Sequence, residues 1–196
     1  MKSHTWQWGL SLLGMIMITG TFEANTLGDE LSSSPSIPVE TVADYVHSII
    51  EADRTIYSSH VVNRMTQQGI VTANEHWEQQ HALPLPAQFL QAAGKLVAKK
   101  DHGVRYRLIS LWPIYERNGP ATPFERHGLE AVGKNPDKPH SGIVRSGKMK
   151  FYQAVYADKA VAESCVTCHN QHPLSPKRDF AIGDVMGGIV ITIPLD

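Results

Sequence analysis

With 196 residues the chain is long enough to bury one real core, and a formal net charge of −1 gives it no long-range field for nucleic acid or an acidic membrane. Its 42% hydrophobic and 19% charged residues are ordinary for a globular protein, so one compact domain is expected. Ten histidines are a generous supply of metal ligands, most of them expected to be plain surface polar residues, whereas there are only two cysteines.

The chain begins with Lys2 and His4 ahead of an apolar run, Leu10 to Ile18, that is too short to span a bilayer comfortably. Residues 1–24 read as an export signal, with cleavage in Thr19–Thr21 or after Ala24, and an uncleaved short anchor as the alternative. Residues 25–38, centred on Ser32-Ser33-Ser34-Pro35, read as a linker, and 39–196 as the domain. A periplasmic location follows as an expectation. From Val39, apolar residues at Val42, Tyr45, Val46, Ile49, Ile50, Ile56, Tyr57, Val61 and Met65 recur mostly at three- and four-residue steps. They predict one amphipathic helix of roughly 25 to 30 residues, stopped near Gln68-Gly69 and packed along one side, with a second copy of the chain as a conceivable partner.

Leu83-Pro84-Leu85-Pro86 forces an extended segment. A helix is predicted from Pro86 to about Lys100, burying Phe89, Leu90, Leu96 and Val97. Val104 to Trp112 begins with alternation and predicts a strand, closed by turn chemistry at Arg117-Asn118-Gly119-Pro120. Thr122-Pro123-Phe124-Glu125 predicts a capped helix start, with the helix running to about Val132. Ile143 to Arg145 and Lys150 to Tyr156 flank Ser146-Gly147 as a hairpin. A helical turn at Ala160–Ser164, an irregular arm from His172 to Asp179, and a β-branched last strand at Gly187–Ile193 complete the order. The expected fold class is α+β, with a central antiparallel sheet, a long N-terminal helix and flanking helices segregated from the sheet.

The chemistry is concentrated in Cys165-Val166-Thr167-Cys168-His169, a Cys-x-x-Cys-His pattern. Two thiols at this spacing can form thioethers with the two vinyl groups of one haem c, and the next histidine supplies an axial imidazole nitrogen. A redox dithiol, a plain disulfide and half a zinc site are the competing uses of Cys-x-x-Cys. They fit less well: zinc would need His169 and His172 crowded beside both cysteines, and a thioredoxin-like dithiol would follow a strand in a βαβ unit. For the sixth iron ligand the candidates are His60, His76, His81 and Met65, or none, with His60 on the long helix preferred. Arg54, Arg117 and Arg145 are candidate partners of the haem propionates, because guanidinium matches a carboxylate through two parallel hydrogen bonds. Lys148, in a turn, is better read as solvated. The glycines of Gly183-Asp184-Val185-Met186-Gly187-Gly188 precede a strand and so are no phosphate loop; a tight turn or close backbone approach is expected.

Several separated blocks also resemble the PAS-like single-haem c-type domains of bacteria, which occur as exported proteins and as sensor modules of histidine kinases and chemoreceptors. The resemblance runs from about Ala52 to the C-terminus. It lies in Ala52-Asp53-Arg54 with Tyr57, Glu75-His76-Trp77, Leu83-Pro84-Leu85-Pro86-Ala87, Ser110-Leu111-Trp112-Pro113 with Arg117-Asn118, the haem motif with Asn170, and Asp179-Phe180 with Gly183 to Gly188. It implies a PAS-like fold, one covalent haem and a role in redox or ligand sensing. Some such domains are thought to use a cysteine as second axial ligand, which is unavailable here because both cysteines would be joined to the porphyrin. The expected function is a redox or small-ligand sensor, with an electron-transfer cytochrome c as the alternative and no enzymatic activity. Expected partners are a redox or signalling protein and a diatomic gas, with a homodimer conceivable and no nucleic acid.

Overall fold

The computed structural model describes residues 36–100 and 102–195. The expected export signal and nearly all of the expected linker lie outside the described residues. The predicted long helix is present as three continuous pieces: α1 (Val39–Ile56), a π-helical stretch (Tyr57–Asn63) and a last turn, α2 (Arg64–Gln67). Gly69, at φ +65°, takes the left-handed conformation that ends it. Periodicity placed both ends but not the widened middle, where the repeat changes from 3.6 residues per turn.

The inward face of α1 carries Val42, Ala43, Val46 and Ile50, packed on Tyr152, Ala154, Ile191 and Ile193 of the sheet. Tyr45, Ile49 and Ile56, expected to share that packing, are instead exposed along the solvent side. Helix α3 (Pro86–Ala98) closes the same core with Leu90 and lies close on β1 at Gly94, where a Cβ would sit 2.9 Å from the Tyr106 carbonyl oxygen. The expectation that Leu96 is buried does not hold; it is 62% exposed. Leu90, Gly94 and Val97 follow the 3.6 repeat along the sheet-facing stripe, and Leu96 falls off it.

Four antiparallel strands, β1 (Arg105–Ile109), β2 (His140–Ser146), β3 (Met149–Lys159) and β4 (Val185–Leu195), lie in the order β1-β4-β3-β2. The last strand is central, as its β-branched run implies. The hairpin of β2 and β3 turns through Gly147, at φ +60°. Strand alternation sends Ile189, Ile191, Tyr152 and Ala154 toward α1 and α3, and Val190, Val155 and Ala157 toward α4 (Pro123–Lys134). The helices therefore cover both faces of the sheet and are not segregated from it, which explains why β4 is apolar on both sides. The start of α4 is as expected: Thr122 Oγ1 accepts from the Glu125 amide at 3.2 Å. The carboxylate of Glu125 turns to the Ala121 amide and to Arg107.

Candidate functional site

The Cys-x-x-Cys-His segment is not preceded by a helical turn; it is itself a helix, α5 (Glu163–Gln171). Spacings of three and four residues put Cys165, Cys168 and His169 on one face of it. That face opens on a cavity of about 570 Å³, within the usual range for cofactor pockets. The far side of α5 is anchored: Val166 joins Phe180, Met186 and Ala160 in a small apolar cluster. Asn170 locks its C-terminal end, donating through Nδ2 to the Phe180 carbonyl at 2.9 Å while its Oδ1 accepts the Phe180 amide at 3.0 Å. Phe180 in turn sets its ring edge-on to His169, with centroids 5.8 Å apart.

Both cysteines are free thiols. Burial first, then the charges of Glu75 and Cys165, push the Cys168 thiol up. This is the opposite of the depressed value that marks a reactive redox dithiol. Burial also pushes His169 down, helped by the neighbouring positive charges of His172 and Arg54. The imidazole is thereby held neutral, the form that binds metal. Its Nδ1 is buried without a hydrogen-bond partner.

The cavity wall combines apolar side chains (Val62, Leu108, Ile109, Ile114, Met186) with Arg54, Arg117 and His76. Two free thiols, a neutral imidazole, an apolar lining and two guanidinium groups form a donor set that fits a covalently attached porphyrin with carboxylate tails. The expectations for Arg54 and Arg117 place both at this wall. Arg54 is already engaged: its Nη2 donates to Asp158 Oδ2 at 2.9 Å, and its Nε lies 2.7 Å from Oδ1. Arg117 lies over the Tyr115 ring, 5.1 Å from its centroid.

Other expected residues are elsewhere. His60 is exposed on the π-helical stretch and does not line the cavity; the residues of the long helix that do are Arg54, Val62 and Thr66. His60 lies two positions from each of the buried Ser58 and Val62, on the opposite side of the helix, and so faces solvent. Arg145 is exposed on β2, the edge strand farthest from β1, and is not at the wall. His81, at φ +49°, is exposed in a turn, and Met65 is half-buried off the wall. Lys148 is exposed in its hairpin turn, and of the expected alternatives for iron only His76 lines the cavity.

Glu75 and Asp158 are wall residues that were not foreseen as site residues. Glu75 accepts from the Tyr115 hydroxyl at 2.5 Å and lies 3.4 Å from His172 Nε2, tying the turn before α3 to the end of α5. Asp158 is buried where β3 is bulged against β4. Its only signal in the sequence was a charge inside a strand of buried apolar residues, which requires a buried partner. The glycines before and at the start of β4 serve the turn and close approach expected of them: Gly183, at φ +89°, makes the tight turn, and Gly187 lines the cavity where a Cβ would clash with the Ile109 carbonyl oxygen.

An antiparallel sheet clothed by helices, with a cysteine–histidine helix facing an apolar cavity, defines an α+β cofactor-domain architecture. Residues 34–194 match the Tll0287-like family model, and the chain belongs to that family. Its fold is shared by a solved structure, that of the cyanobacterial haem protein Tll0287, with a TM-score of 0.50 over 82% of this chain and 98% of that one at 16% identity. No curated protein matches.

Proposed function

We propose that this protein is a periplasmic single-haem c-type protein that senses redox state or a small ligand through its haem iron. The observation that carries the proposal is the placement of Cys165, Cys168 and His169 on one face of α5 at the wall of an apolar cavity. The structural relative, described as a haem protein, supports the same cofactor. Cys165 and Cys168 would hold the porphyrin and His169 would bind the iron; when bound, the group supplies a one-electron couple and a site for diatomic gases. Arg117 would pair with a propionate, and the apolar wall would exclude water from the iron.

Sensing is favoured over simple electron transfer by what α5 touches. It packs against the π-helical stretch, and that stretch is continuous with the helix spanning the domain. π-Helical turns often lie at functional sites, and a shift between regular and widened turns would give the helix two states. A change at iron can bias it only through a difference in contact energy between the two states. The export expected from residues 1–24 would bring the chain to the compartment where thioethers to haem are made, and a signalling or redox protein would read the change. Spectra of both oxidation states with and without carbon monoxide test the proposal. Reduced protein that binds the gas is expected; reduced protein inert to it would favour the electron carrier.

A further inference from the structure

A polar seam joins the cofactor cavity to a second one. Asp44, His47, Glu51 and Arg54 recur along α1 at three- and four-residue steps and so share one face. Opposite them, Tyr156 and Asp158 lie two residues apart on β3 and point to the same side of the sheet. The Tyr156 hydroxyl donates to Asp44 Oδ1 at 2.7 Å, and the His47 ring stacks on the Tyr156 ring with centroids 4.0 Å apart and planes within 9°. Asp44, His47, Glu51 and Tyr156 line an open cavity of about 410 Å³. At the other end of the seam, Arg54 and Asp158 line the cofactor cavity and are 7% and 6% exposed.

A buried ion pair rarely gains stability over apolar residues of the same volume. This one stands where charge would change. Resting on the haem proposal above, we propose that Asp158 is the acceptor of a redox-linked proton, taken up when the group in the cofactor cavity gains an electron and delivered along the α1–β3 seam from the second cavity. In the oxidised state Asp158 is a carboxylate paired with Arg54. An external one-electron reductant supplies the electron, which removes one positive charge from the cavity. The carboxylate then takes one proton from water entering at Glu51 and His47, so the charge of the region is unchanged. On reoxidation the electron leaves and the proton returns.

The surroundings suit this exchange. Burial raises the Asp158 carboxyl above the ordinary range, Arg54 opposes that, and Glu51 adds to it. Facing Asp158 are therefore Arg54 and Glu51 from α1, with His169 of α5 on the same cavity wall. Tyr156, its neighbour on the same face, is held protonated by burial and by its bond to Asp44. Because the reduced state binds the extra proton, the potential must fall as pH rises between the oxidised-state and reduced-state titration points of Asp158. The limit for a one-electron couple is about 59 mV per tenfold change in proton concentration.

The test is potentiometric titration of the purified holoprotein across pH, with reduced-minus-oxidised infrared difference spectra. The wild type is expected to show a sloping segment above the ordinary carboxylate range and a protonated-carboxyl band that appears on reduction. Asp158→Asn should lose both the sloping segment and the carboxyl band. Should that variant fail to hold haem, Glu51→Gln serves: it leaves the pair intact and should move the sloping segment to lower pH, since the negative charge that raises Asp158 is gone. A holoprotein whose potential is flat with pH, or variants that keep the wild-type profile, would overturn the inference alone. A preparation that carries no haem would overturn the cofactor proposal and this inference with it.

Discussion

The long N-terminal helix passes through two settings that differ in almost every respect. Its first half, α1, is regular and apolar toward the sheet, with Ala43 and Ile50 buried on Tyr152, Ala154 and Ile191. Its second half is π-helical, faces α5 and the cofactor cavity, and buries Ser58 with no hydrogen-bond partner. The Arg54–Asp158 pair stands at the boundary. One half is built for packing, where area removed from water outweighs everything else. The other tolerates an unpartnered hydroxyl and a widened turn beside the buried charge pair at the boundary, the kind of local cost that concentrates at functional sites.

The comparison can be broken first at its boundary. Asp158→Ala leaves the Arg54 guanidinium buried and unpaired and should cost about 3–5 kcal/mol in denaturant unfolding, whereas Arg54→Met with Asp158→Leu together should recover most of that loss. Equal costs for the single and double variants would mean that the pair is not buried as a unit. Within the π-helical half, Ser58→Ala removes a hydroxyl that is fully buried and unpartnered, and should raise stability by about 1–3 kcal/mol. In the regular half, Ile50→Val should lower it by about 0.5–1.5 kcal/mol and leave the visible spectrum of the holoprotein untouched. A spectral change there would show that the two halves are coupled through packing.

The smallest expected effect is a pH slope. Burial lowers the folded-state His47 below its ordinary value, against the raising influence of Glu51 and Asp44. The unfolded chain therefore binds more protons between the lowered value and the ordinary histidine range, and stability from this group is full above that range and is lost as pH falls through it. His47→Gln should flatten that part of the stability–pH curve of the apoprotein. Asp158 contributes with the opposite sign, because its folded-state value is raised: stability falls as pH rises from the ordinary carboxylate range through the raised value.

What was legible beforehand followed local rules. The cap at Thr122, the turn at Gly147, the end of the long helix at Gly69 and the central place of β4 each rest on a residue's own conformational preference or on alternation. The Cys165, Cys168 and His169 set was legible as a Cys-x-x-Cys-His pattern, whereas the helix that puts the three on one face was not. What failed depended on tertiary context. His60 was chosen as a ligand type on a long helix without regard to its face, which is opposite the buried Ser58 and Val62, and Leu96 was misplaced because its stripe was read one position wide. Arg145 was chosen for its chemistry, with nothing local to show that β2 is an edge strand remote from the cavity. Asp158 was invisible as a site residue because its partner, Arg54, is far away in sequence and meets it only when α1 lies on β3.

Covalent attachment is the claim on which the rest depends. The direct measurement is acid–acetone extraction of protein produced with cytochrome c maturation, followed by mass spectrometry of the peptide that spans Cys165 to His169. Haem should stay with the protein, its mass should lie on that peptide, and replacement of either cysteine by serine should leave only one thioether. Haem that extracts completely, with an unmodified Cys165–Cys168 peptide, would contradict it.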